Sequence, residues 1–155
     1  MPDNREVEEA VSKAKGLLRE LGYECDVTSG DLRRWFEADT LYDQDFGLDK
    51  VIAVPLIVVH ELVEIDEVKK TGLQLGKRVI LDNPDLVEAA HLKATEMEMR
   101  AALSVRNFEH VRARLANMRS WIEDPSVSPE YKERYSELHA SISEELERRS
   151  GRDDA

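Results

Sequence analysis

The sequence has 155 residues with 33 acidic and 22 basic side chains, and its formal net charge of −11 argues against nucleic acid as a partner. A single cysteine, Cys25, excludes an internal disulfide framework and fits a reducing compartment. No apolar run reaches the roughly 18 residues that span a bilayer, so we expect a cytoplasmic protein without a membrane partner. The length fits one helical domain over 1–155, with a structured core over 4–149 and a flexible tail over 150–155.

Two amphipathic helices are predicted in the first 40 residues. Over 4–21 the apolar side chains recur at steps of three and four residues, and Gly22 follows as a typical helix stop. Asp31 provides an N-terminal cap for a shorter helix over 31–38. Residues 39–49 show neither a helical nor a strand period, and we interpret them as a structured loop or as a loop that leads into a helical turn.

The middle of the chain holds the most apolar segment, 55–68, which begins with a proline in the first helical turn. Its apolar residues cover nearly every side of the helix, and this pattern predicts a central, buried helix. A connection over 71–83 follows, with a short extended piece at 79–81. Asn83 and a proline then start a long helix over 84–105. Because that helix carries two apolar stripes, we expect it to be packed on two sides.

Two further helical segments complete the predicted fold. The first has an apolar face over 108–122, which either continues the helix over 84–105 or restarts at Asn107, and it ends before Pro125. The last helix is capped by Ser128. The sequence therefore predicts an all-α fold, a bundle of about five or six helices. The residues expected in its core are Val59, Leu62, Val63, Ala94, Met97, Ala101 and Leu115.

The two most apolar helices also carry histidine and glutamate at helical spacing. His60 and Glu64 lie four residues apart, and His91 and Glu98 lie seven apart, so each pair occupies one side of its helix. An unpaired buried carboxylate is strongly destabilising, so such groups are paired, protonated or bound to a metal ion. We therefore predict a divalent ion (Zn, Mn, Fe, Co or Ni) held by His60, Glu64, His91 and Glu98.

Glu61, next to His60, is the candidate catalytic base that would activate a metal-bound water. A metalloprotease of the H-E-x-x-H type is not expected, because Glu64 stands where the second histidine is required. Residues 58–65 resemble the helix of HD-family phosphohydrolases that carries an adjacent His-Asp pair, with Glu61 in place of the aspartate. That family also takes a histidine from an earlier helix, and this sequence has none before His60.

A basic stretch over 93–119 stands out in this acidic chain. Guanidinium groups bind phosphate and carboxylate through two hydrogen bonds at once, so Arg100 and Arg106 are the candidate substrate-binding residues. The alternative is that these arginines lie on helix surfaces and pair with neighbouring carboxylates.

Three hypotheses for function follow from these residues. The first is a metal-dependent hydrolase that acts on a small anionic, phosphate-containing substrate. The second is a helical module that binds a metal or ligand without catalysis. The third is a helical interaction or oligomerisation module, with a second copy as its partner, in which a buried polar network fixes the register of the helices.

Overall fold

The computed structural model describes residues 2–40 and 47–153 of the chain. These residues form helices and no strands, which confirms the predicted all-α fold. The eight helices of the described residues are α1 Asn4–Glu20, α2 Ser29–Glu37, α3 Leu48–Ile52, α4 Pro55–Lys70, α5 Val79–Asp82, α6 Pro84–Ser104, α7 Phe108–Glu123 and α8 Pro129–Asp153. Helix α3 lies where the loop is predicted to lead into a helical turn. Helix α5 was not expected, because a helix of about one turn is too short to show a period.

The extended piece expected at 79–81 is wrong, since these residues belong to helix α5. Val79 is buried there, and the side-chain amide of Asn83 donates a hydrogen bond of 2.9 Å to its carbonyl oxygen. Three apolar residues in a row fit one turn of helix as well as a strand, and the described residues offer no strand for pairing. Helix α8 continues to Asp153, beyond residue 149, where we expected the structured core to end. Residues 41–46 of the expected loop lie outside the described residues.

The chain divides into two compact units, Met1–Glu98 and Met99–Ala155. Helix α4 is the centre of the first unit, where α1, α2 and α3 all contact it. Val58, Val59, Leu62 and Val63 of α4 are fully buried, as expected of a helix that is apolar on nearly every side. The single domain over 1–155 stays a prediction.

The second unit contains α7 and α8, which pack against each other. Val111 and Met118 of α7 and Tyr135 and Ile142 of α8 are buried. All seven residues that were predicted for the core are buried, two of them, Ala101 and Leu115, in this unit.

Helices α1 and α6 end in the same backbone motif. In both, the residue after the cap has a positive φ, 79° at Gly22 and 61° at Arg106, and the next N–H donates to the carbonyl five residues earlier, at 2.9 and 2.8 Å. Glycine adopts this left-handed conformation freely, whereas a side chain with a Cβ is disfavoured there. Arg106 is the one non-glycine residue in the described part of the chain with a positive φ.

Asp31 joins helix α2 to helix α4 in the first unit. Its carboxylate accepts hydrogen bonds from the backbone N–H of Thr28 at 3.0 Å, from Arg34 at 2.7 Å and from Lys69 of α4 at 2.8 Å. The Thr28 hydroxyl accepts a bond from the Asp31 N–H in return, so the two residues form a capping box. Burial opposes ionisation, but the bonds from Lys69, Thr28 and Arg34 together hold the pKa of Asp31 well below its usual range.

Because the pKa of Asp31 is depressed in the folded state, its contribution to stability is present above the unfolded-state pKa of about 4 and is lost as pH falls through the folded-state pKa. We expect Asp31→Asn to lower the free energy of unfolding by about 1–2 kcal/mol at pH 7 and by progressively less below pH 4. Urea unfolding at several pH values measures the difference, with Asp82→Asn, on an exposed helical pair with Arg78, as the control. A difference that is constant between pH 7 and pH 2 would refute the assignment.

Candidate metal centre

Helices α4 and α6 bring the predicted ionisable residues into the interior of the first unit. Helix α4 begins at Pro55, a residue that suits the first helical position. His60 and Glu64 lie about one turn apart on this helix, so their side chains are on the same face. Although β-branched residues have low helix propensity, burial on all sides compensates for it in α4. His60 is 5% exposed, Glu64 8% and Glu98, near the end of the first unit, 0%.

His60 is bonded at both ring nitrogens. Its Nδ1 lies 2.8 Å from Glu98 Oε1, and its Nε2 lies 3.1 Å from Glu64 Oε2. A carboxylate only accepts hydrogen bonds, so both nitrogens of His60 donate when both glutamates are ionised, and the ring is then an imidazolium. The ring of His91 lies edge-on to that of His60, with 5.0 Å between the ring centroids.

The charges around His60 favour its protonated form. Burial lowers the pKa of His60, but the hydrogen bonds that its ring donates to Glu64 and Glu98 and the negative charges of both carboxylates outweigh burial and raise the pKa to about 10. One imidazolium thus lies between two carboxylates, and this triad carries one net negative charge inside the first unit. Such an excess of negative charge attracts a cation.

Glu61 completes the cluster on the less buried side. One ligand atom from each of His60, Glu61 and Glu64 lies within 4.8 Å of the other two. Burial and the charge of Glu64 raise the pKa of Glu61 to about 7, although the charge of His60 and a hydrogen bond from Trp35 lower it.

The structure brings together the four residues that the sequence predicts as metal ligands, and it places Glu61 beside them. Glu64 lies at Nε2 of His60, and Glu61 is the third member of the group whose ligand atoms lie within 4.8 Å of one another. Glu98 engages Nδ1, where a carboxylate orients a metal-bound histidine and fixes its tautomer. His60, Glu61 and Glu64 are therefore the residues that could hold an ion.

The predicted substrate-binding residues Arg100 and Arg106 belong to the second unit. Both are exposed, and the charge of Arg100 acts on Glu145 of helix α8.

A second polar cluster in the first unit was missed. Asp66 is 2% exposed and accepts hydrogen bonds from the Tyr23 hydroxyl at 2.9 Å and from the Asp26 N–H at 3.0 Å, while Lys70 lies 3.1 Å away. The Tyr23 hydroxyl also donates to Glu67 at 2.8 Å, and burial together with these acids raises the pKa of Tyr23. The sequence signal that could have indicated this cluster is Asp66 itself, an aspartate inside the most apolar helix. Its partners Tyr23 and Asp26 lie in a loop that has no sequence pattern, so they could not be predicted.

Comparisons of the chain with protein-family models, with curated proteins and with solved structures give no match. Among the described residues, none of the helices combines the length and the apolar character needed to cross a membrane.

Proposed function

We propose that this chain is a metal-dependent hydrolase whose divalent ion is bound by His60, Glu61 and Glu64. The observation that carries the proposal is the close approach of one ligand atom from each residue, all within 4.8 Å of one another. At a metal–ligand distance of about 2.1 Å, tetrahedral ligand atoms lie about 3.4 Å apart, so small side-chain adjustments would bring these three around one ion. Nitrogen and carboxylate oxygen donors suit Zn, Mn, Fe, Co or Ni.

Within the part of the chain that the structure describes, three residues form the group that could hold the ion, and this number favours a catalytic ion over a structural one. Structural zinc sites are closed by four protein ligands, whereas catalytic sites keep three and leave a position for water or substrate. Such an ion lowers the pKa of its bound water and polarises a phosphoryl or carbonyl oxygen. A small anionic substrate, such as a phosphate ester, would be attracted by the ion itself.

The remaining residues of the cluster would prepare His60 for this role. Glu98 accepts a hydrogen bond from the Nδ1–H of His60. In the neutral ring Nε2 then carries no proton, and this nitrogen, which faces Glu64, is the one that would bind the ion. A metal ion bound at Nε2 would take the place of the proton that the imidazolium carries there, so binding would release a proton. Glu61 is the least buried of the three ligands, and the open coordination position would lie on its side.

The proposal is tested by titrating the metal-free protein with Zn²⁺ or Co²⁺ in an isothermal titration calorimeter. We expect about one ion per chain, and we expect Glu64→Gln and Glu61→Gln each to weaken binding at least about tenfold because each removes an anionic ligand. Glu67→Gln, on the same helix but bonded to Tyr23 and Lys70, is the matched control and should bind as the wild type does. Circular dichroism confirms that each variant is folded, and release of phosphate from a phosphomonoester in the presence of the ion tests the hydrolytic step.

A metal-free polar network is the second candidate function for the same residues. It is favoured by the finding that both ring nitrogens of His60 already have carboxylate partners. In that case the cluster fixes the register of α4 against α6 within the first unit. Wild-type protein that binds neither ion would support the network and contradict the metal site.

A further inference from the structure

The indole N–H of Trp35 connects helix α2 to Glu61 of helix α4. Trp35 is 4% exposed, and α2 contacts α4 within the first unit. The side chains of Trp35 and Glu61 form a hydrogen bond. An indole N–H only donates and a carboxylate only accepts, so Trp35 is the donor and Glu61 the acceptor. The polar group of this buried tryptophan thus has its partner inside the group of proposed metal ligands.

Helix α2 is held against α4 by contacts other than this bond. Asp31, about one turn before Trp35, accepts a hydrogen bond of 2.8 Å from Lys69 of α4 and forms the capping box with Thr28. Leu32 of α2 is fully buried. Because these contacts fix the helix, the Trp35 side chain is a donor whose position is set by packing and does not depend on Glu61.

A metal ligand of this kind benefits from a fixed donor. The ring of His60 is already oriented by Glu98, which lies 2.8 Å from its Nδ1. The carboxylate plane of a glutamate, by contrast, turns easily about its last side-chain bond. A hydrogen bond to one oxygen of Glu61 fixes that plane and leaves the other oxygen for an ion. Loss of a group that holds a metal ligand in this way weakens metal binding by about 10- to 100-fold.

We propose that Trp35 is a positioning residue for the metal site, whose indole N–H holds one oxygen of Glu61 so that the other oxygen faces the ion shared with His60 and Glu64. This inference rests on the proposed function, because it concerns a ligand of the proposed ion. The effect of Trp35 on the ion passes through the Glu61 carboxylate, and this dependence distinguishes positioning from packing.

The test is a cycle of Zn²⁺ affinities, measured by calorimetry on the wild type, Trp35→Phe, Glu61→Ala and the double variant. Trp35→Phe keeps an aromatic ring and removes the N–H, so we expect binding to weaken about tenfold. In the Glu61→Ala background the same substitution should change the affinity less than about twofold, because the carboxylate that Trp35 holds is absent. A tryptophan that only packs would weaken binding equally in both backgrounds. Phe36→Leu, at a residue of α2 that lines a surface pocket with Pro2 and Arg33, is the control and should bind as the wild type does.

A second measurement needs no substitution at Trp35. The chain has two tryptophans, and the other one, Trp121, lies in the second unit. In a Trp121→Phe protein a single indole N–H signal therefore remains in the NMR spectrum. We expect Glu61→Ala to move this signal upfield in the metal-free protein, because an N–H proton that loses its acceptor is less deshielded. This signal decides the contact even if Trp35→Phe fails to fold.

The outcomes separate this inference from the proposed function. If the wild type binds Zn²⁺ and Trp35→Phe binds it equally well, the role of Trp35 is overturned and the metal site stands. Equal losses in the two backgrounds, or an indole signal that Glu61→Ala leaves in place, would also overturn that role. Wild-type protein that binds no Zn²⁺ would overturn the proposed function and this inference with it.

Discussion

Glu98→Ala is expected to lower the free energy of unfolding of the metal-free protein by about 3–5 kcal/mol. Glu98 is 0% exposed, and its carboxylate accepts the 2.8 Å hydrogen bond from His60 Nδ1. Alanine would leave a cavity and remove one of the two negative charges that hold the proton on His60. Urea unfolding at pH 7 in the presence of a chelator, followed by circular dichroism, gives the measurement.

The matched control for Glu98→Ala is Glu96→Ala, two residues earlier on α6. Glu96 keeps about a quarter of its side chain in solvent and pairs with Lys93 at 3.4 Å, so its loss should have a much smaller effect. The triple variant His60→Leu Glu64→Leu Glu98→Leu should be less destabilised than Glu98→Ala, because it removes all the buried charges of the triad together. Equal destabilisation by Glu98→Ala and Glu96→Ala would contradict the role given to the buried triad.

The second large effect is expected at Asp66, where Asp66→Ala should lower the free energy of unfolding by about 2–3 kcal/mol. This buried carboxylate accepts bonds from the Tyr23 hydroxyl and the Asp26 N–H, and it pairs with Lys70. Its removal takes partners away from a loop that it holds against α4. The same urea experiment measures the effect.

Two variants separate this explanation for Asp66 from a general loss of charge. Glu9→Ala removes an exposed carboxylate that pairs with Arg5 and should change stability far less. Tyr23→Phe should be only weakly additive with Asp66→Ala, because both remove the same hydrogen bond. Fully additive effects of the two substitutions would show that the Tyr23–Asp66 bond contributes nothing.

The long helices were predictable because their signals are local. Pro55 and Pro84 mark the beginnings of α4 and α6, and the apolar residues that follow repeat over several turns. Helix α5 was not predictable in this way, because its four residues form a single turn. The prediction of an extended segment over 79–81 was wrong because a short apolar run has no period that distinguishes a strand from a helix.

The candidate site was predictable in its membership more than in its geometry. His60 and Glu64 were predicted because a charge inside an apolar helix is destabilising unless it has a partner. His91 and Glu98 were predicted because they lie on the other helix that carries two apolar stripes. Which nitrogen of His60 faces which glutamate depends on the rotation of the ring, and sequence spacing does not encode it. The sequence therefore predicts which residues belong to the cluster, but not that Glu98 bonds Nδ1 and Glu64 bonds Nε2.

The measurement that tests the central claim most directly is the metal content of the protein. The chain would be purified without a metal-chelating tag, incubated with a mixture of divalent transition metals, passed through a desalting column and analysed by inductively coupled plasma mass spectrometry. The account predicts about one ion per chain in the wild type and in Glu67→Gln, and a large loss in Glu64→Gln. Wild-type protein that retains no more metal than Glu64→Gln would contradict it.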